Sequence, residues 1–69
     1  MYPITRLEIE RRKRGLYSRD VAAKIGVHRT TYSQVERGRL KPYPKFRRNC
    51  AEFFGIPEEE LFPEVFKNR

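Results

Sequence analysis

Residues 18–38, SRDVAAKIGVHRTTYSQVERG, constrain the fold of this chain more than any other stretch. Val21, Ala22 and Ile25 fall on one side of a short helix, which Gly26 and Val27 break. A second helix then carries Tyr32 and Val35 one turn apart and stops at Gly38. Two helices joined by so short a turn must cross closely, which requires small residues at the crossing. Ala22 and Gly26 supply them. A bulky side chain at Ala22 would push the helices apart, and Gly26 takes the positive φ of a sharp turn without a steric penalty.

The rest of the chain reads as helices set around this pair. Residues 5–14 form a first helix in which Ile4, Leu7 and Arg11 share a face while Ile9 lies off it. Lys13 and Arg14 occupy its last turn, where cations suit the helix dipole, and Gly15 ends it. Ser18 is the expected N-cap of the second helix, with Asp20 in its first turn. The third spans residues 29–37. Two prolines pin the loop over residues 39–44, and a fourth helix runs from Pro44, at its first position, to Phe54. Phe46, Cys50, Phe53 and Phe54 form its apolar face, and Gly55 stops it. Pro57 and three glutamates, Glu58, Glu59 and Glu60, open a short fifth helix carrying Leu61 and Phe62, which Pro63 is expected to stop. The expectation is one all-α domain of five helices, with a core over about residues 4–62 and a tail over 63–69.

Composition narrows what such a domain can do. The chain has 69 residues, room for one modest core but hardly for a cavity that excludes water. A single cysteine, Cys50, excludes an internal disulfide and a cysteine zinc cluster, and one histidine, His28, makes no metal site alone. No signal-like or membrane-spanning apolar run is present. The expectation is a soluble cytoplasmic protein, with no metal, cofactor or small-molecule ligand. With no nucleophile–base pair it is not expected to be an enzyme. The net charge is +7, unevenly placed: residues 1–48 hold 14 bases and 4 acids, and residues 49–69 hold 2 bases and 5 acids. A protein with a basic side and an acidic end approaches a polyanion in a preferred orientation.

Two helices meeting at a tight turn form the helix-turn-helix pattern, whose second helix enters the DNA major groove. Arg29, Thr30, Ser33 and Gln34 lie on the side of that helix away from Tyr32 and Val35, and they are the candidates for base contact. Arginine bonds two acceptors on guanine, and glutamine does the same on adenine. Ser18 and Arg19, at the positive end of the second helix, suit a phosphate, as do His28 and, after the third helix, Arg39, Lys41, Tyr43 and Arg47, with Arg48 extending the strip. For each, the alternative is an ordinary solvated charge. Glu36 stands out because it places an anion at the negative end of a helix dipole, so a partner is expected.

The strings GLYSRDVAAKIGVHRTTYSQVERGRLKP and AEFFGIPEEELF resemble the Cro/C1-type (XRE-like) helix-turn-helix family of phage repressors and small bacterial regulators. Matching positions include Leu7, Arg11, Gly15, Leu16, Ala22, Gly26, Val27, Val35, Glu36, Gly38, Pro42, Ala51, Gly55 and Leu61. The resemblance implies a lambda-repressor-like five-helix fold, a sequence-specific repressor held at the nucleoid through DNA, and an ion pair between Arg11 and Glu36. The chain departs from the family pattern at Tyr17, Ser18 and His28, and it has charged Glu10 and Arg47 where apolar residues are usual. Either the helices carrying Glu10 and Arg47 rotate or these charges find partners. One recognition helix reads few base pairs, so a weak homodimer stabilised by DNA on an inverted repeat is expected, with Leu61, Phe62, Val65 and Phe66 either as its contacts or as closure of the monomer core. The other reading is an interaction or antitoxin-type module whose C-terminal end docks a partner protein.

Overall fold

Local chemistry sets the boundaries of each helix. The computed structural model describes residues 5–66, apart from the side chains of Glu64 and Phe66. The elements are α1 (Arg6–Lys13), α2 (Ser18–Ile25), α3 (Arg29–Glu36), α4 (Pro44–Phe54), α5 (Glu58–Leu61) and α6 (Pro63–Phe66), and no strand occurs among the described residues. The five expected helices are therefore present, followed by a further short one. Thr5 is the N-cap of α1, its Oγ1 accepting the Glu8 N–H at 3.2 Å. The same hydroxyl donates to the Glu36 carbonyl at 2.6 Å, tying the start of α1 to the end of α3.

Two helix boundaries differ from expectation. Ser18 is the first residue of α2 and not its cap; Tyr17, in extended conformation, occupies the N-cap position with no side-chain cap bond. The fifth helix stops before Pro63 as expected, but the tail expected from there on opens as a helix. Phe62 leaves the helical region at φ −128° and ψ 60°, and Pro63 then opens α6. A proline ring forbids continuation but suits a first position, where its missing N–H has no bond to make. The packed body reaches Val65, which lies against the core.

Gly26 ends α2 in the left-handed region at φ 78°, as the tight turn requires. A Cβ built there meets no atom within 4 Å, so replacing Gly26 incurs backbone strain and does not crowd Ala22. Val21, Ala22 and Ile25 of α2 pack with Tyr32 and Val35 of α3 and with Phe46, Cys50 and Phe54 of α4. Phe46 is the hub of the aromatic packing: its ring centroid lies 6.0 Å from Tyr32, 6.2 Å from Phe62 and 5.7 Å from Tyr43. Phe53, expected in this face, is 37% exposed. Phe46, Cys50 and Phe54 follow at intervals of four, whereas Phe53 sits 100° away from Phe54 on the helix and touches its ring edge-on at 5.0 Å. Of the two roles open to Leu61 and Phe62, burial selects closure of the monomer core. Ile4 and the Phe66 side chain lie outside the described residues.

Helix α1 departs most from a simple amphipathic pattern. Leu7 is its buried apolar residue, and Glu8 and Glu10 are buried beside it. Glu10 is covered, not deeply sunk: Arg6 and Arg14 bond its two oxygens at 2.7 and 2.8 Å, with Lys13 at 3.7 Å. Those side chains themselves reach solvent. Arg14 also donates to the Phe54 carbonyl at 3.0 Å and lies over the Phe54 ring, which joins the end of α1 to the end of α4. The Glu10 and Arg47 departures are thus both resolved by partners. The Arg47 guanidinium bonds Glu58 at 3.2 Å and the Pro42 carbonyl at 2.9 Å, bracing the loop before α4 against α5. No described helix is long and apolar enough to cross a membrane.

Candidate nucleic-acid interface

The turn between α2 and α3 sets the angle at which α3 leaves the core. His28 caps α3: its Nδ1 accepts the Thr30 N–H at 3.1 Å. A nitrogen that accepts this bond leaves the ring proton on Nε2, and His28 is exposed. The cap role and a phosphate contact are therefore compatible in one ring. Val35 and Tyr32 anchor α3 inward, and Arg29, Thr30 and Gln34 are exposed with Ser33 partly so.

All four predicted base-reading residues line one open concavity of about 300 Å³. Arg37 and Arg39 complete its wall. The end of α3 explains why. The Arg37 N–H bonds the Ser33 carbonyl at 3.0 Å, which continues the helical turn. Gly38, at φ 78°, then reverses the chain; its N–H bonds the Val35 carbonyl and the Arg39 N–H bonds the Gln34 carbonyl at 2.8 Å. This double closure is the Schellman arrangement, and it swings Arg39 back beside Gln34. Arg37 was absent from the sequence-derived site, although its place four residues after Ser33 and eight after Arg29 puts it on the same face.

Glu36, on the opposite side of α3, is pinned from two directions. Arg11 Nε and Nη2 bond its two carboxylate oxygens at 2.8 and 3.0 Å, a bidentate pair, and Arg11 Nη1 bonds the Leu16 carbonyl at 2.7 Å. The pair implied by the resemblance is therefore present and largely buried, and the bonded carboxylate raises the Arg11 pKa. Tyr32 lies alongside. Its hydroxyl is buried, and the Glu36 carboxylate is near enough to oppose its ionisation. Burial first, then that charge, pushes the Tyr32 hydroxyl far above its usual range and the Cys50 thiol up to about 12. Both groups stay neutral, so Cys50 serves as a small apolar filler.

Ion pairs sort the cations into two sets. On α1, Arg6, Arg12, Lys13 and Arg14 pair with Glu8 or Glu10, and Arg11 pairs with Glu36. Arg19, Lys24, Arg29, Arg39, Lys41, Lys45 and Arg48 have no carboxylate partner among the described residues. These belong to α2, α3, the following loop and the exposed side of α4. Arg19 lies over the Tyr17 ring at 5.1 Å, and Tyr17 is 66% exposed, an aromatic platform at the start of α2 that sequence reading passed over. Ser18 is half-buried beside it, and Lys41 and Tyr43 are exposed beyond Arg39. Arg47 is the exception among the predicted phosphate contacts: its guanidinium is engaged inside the fold.

The family described as "helix-turn-helix domain" matches residues 5–62 of the chain. An uncharacterized HTH-type transcriptional regulator of Methanocaldococcus jannaschii is 35% identical over 57 residues, covering 83% of this chain and 86% of that protein. No solved structure matches.

Proposed function

Because the chain belongs to the helix-turn-helix domain family, we propose that it is a sequence-specific double-stranded DNA-binding regulator of transcription, a repressor of the Cro/C1 kind. The observation that carries this reading is the segregation of its cations. Guanidiniums on α1 are paired internally, whereas Arg29 and Arg39 at the α3 concavity have no carboxylate partner among the described residues. In this reading α3 enters the major groove with Arg29, Thr30, Ser33 and Gln34 toward base edges. Ser18, Arg19, His28, Arg39, Lys41 and Tyr43 hold the flanking phosphates and set the register. Arg47 is left out of that set. Binding, not catalysis, is its work, and two copies meet an inverted repeat in the cytoplasm at the nucleoid. A partner-docking module is less well supported, because Leu61 and Phe62 of the C-terminal end are turned into the core.

The test is selection of bound sites from random duplex DNA, followed by titration at several salt concentrations. If roughly 4–6 phosphates are met per subunit, the log–log salt slope should be about −4 to −5 per subunit. A slope near zero, or equal affinity for single strands, would refute the reading.

A further inference from the structure

We propose that the groove between α6 and the loop joining α3 to α4 is a docking site for an acidic segment of a partner protein that carries an apolar anchor. The groove is a cleft of about 580 Å³. Clefts that hold ligands run from about 300 to about 1,000 Å³. Its apolar surface comes from Val35 of α3, Leu40 and Pro42 of the loop, and Val65 of α6, and Arg39 and Lys41 line it from the loop. The loop is braced before any ligand arrives. The Arg39 and Leu40 N–H groups bond the Gln34 carbonyl at 2.8 and 3.2 Å, which fixes its start. The Arg47 guanidinium bonds the Pro42 carbonyl at 2.9 Å and Glu58 at 3.2 Å, which fixes its end. A loop held at both ends loses little further freedom on binding.

Charge and shape together select the occupant. Arg39 and Lys41 have no carboxylate partner among the described residues. A duplex backbone presents phosphates and sugars but no apolar side chain. DNA binding therefore accounts for these two cations and not for the apolar cleft beside them. A segment that sets carboxylates on either side of a large apolar residue satisfies both. A second copy of this chain does not supply one, because in its own acidic–apolar string, residues 58–62, Leu61 and Phe62 are buried. Arg39 also lines the α3 concavity. Its guanidinium cannot serve the segment and a phosphate at once, so docking competes with duplex DNA. That competition rests on the DNA reading above; the docking itself does not.

The full chain should be titrated, at one salt concentration, with a synthetic peptide in which a phenylalanine–leucine pair is flanked on each side by glutamates. One control peptide has serines in place of the apolar pair, and another has glutamines in place of the glutamates. Wild type should bind the first peptide about ten-fold or more tightly than either control, the gain expected from filling an apolar site with a large side chain. Leu40→Ser, in the exposed loop and outside the DNA-contact set, should lose most of the preference for the apolar pair while its melting temperature and duplex affinity hold. Arg39→Gln should lose the preference for glutamates. The first peptide should displace a bound duplex, and a duplex that stays bound at saturating peptide would overturn the pairing with Arg39. Equal affinity for the serine control, or a preference that survives Leu40→Ser, would overturn the proposal. Amide chemical shifts of the wild type locate the peptide without any variant, and changes confined to other faces would overturn it as well. So would a dimer in solution that Leu40→Ser dissociates, which would give the groove to a second copy. A wild type that binds the first peptide but no duplex would bring down the DNA reading and leave the docking site standing.

Discussion

At the scale of single residues, the two cations Arg29 and Lys41 carry different kinds of information. Arg29 opens α3 and faces the concavity, whereas Lys41 stands exposed in the loop after it. Arg29→Ala should weaken the selected site by about 1–3 kcal/mol and relax one base-pair preference per half-site. Lys41→Ala should lower binding to every sequence by a similar factor, since a phosphate contact reads no bases. Titrating both variants against selected and scrambled duplexes checks this; equal loss for Arg29→Ala on both would move readout to its neighbours. Glu10 makes a prediction about acid. Bonds from Arg14 and Arg6 outweigh the desolvation of its carboxyl and hold it down to about 2, from an ordinary 4.5. Between those values the unfolded chain binds a proton at Glu10 that the folded chain does not, so stability rises with pH across that window. The contribution is complete above about pH 4.5 and lost as pH falls toward 2. Denaturant unfolding followed from pH 5 to pH 2 should therefore show a shallower dependence in Glu10→Gln than in wild type.

At the scale of elements, α1 and α3 are joined by polar bonds. Thr5 holds the Glu36 carbonyl and Arg11 holds its carboxylate. Glu36→Ala strands the Arg11 charge in a largely buried place and should cost a few kcal/mol. Glu59, exposed in α5 and free of ion pairs among the described residues, is the control; Glu58 is not, because it pairs with Arg47. Thermal melting of Glu36→Ala well below that of Glu59→Ala is the expected result, and equal melting would mean that the pair contributes nothing. From sequence, an anion at the wrong end of a helix marked Glu36, and the family resemblance supplied Arg11 as its partner. The helices themselves were legible because glycine and proline punctuate nearly every boundary. What stayed hidden was tertiary. Glu8 reads as part of a solvated face, and only the packing of α1 shows it buried, with Arg12 closing over it from one turn on. Phe53 looks like core because any phenylalanine does, and only its angle to Phe46, Cys50 and Phe54 sends it outward.

At the scale of the whole molecule, burial of Leu61 and Phe62 removes the largest apolar contacts expected for a dimer. With Val65 and single exposed residues such as Leu40 left among the described residues, self-association in solution should be weak. Sedimentation should show monomer at micromolar concentration and a 2:1 complex on a full inverted repeat, because two duplex-bound copies a helical turn apart double the readout. A tight 1:1 complex on a palindromic site would refute the symmetric arrangement. Helix α3 has a broader consequence. Tyr32, Val35 and Glu36 point inward and hold the fold together, whereas Arg29, Thr30, Ser33 and Gln34 face the open concavity. The fold has no stake in the outward set. Its letters can be exchanged as a block while the scaffold melts at the same temperature, so a lineage carrying this domain can follow a drifting target, or acquire a new one, without passing through an unstable ancestor.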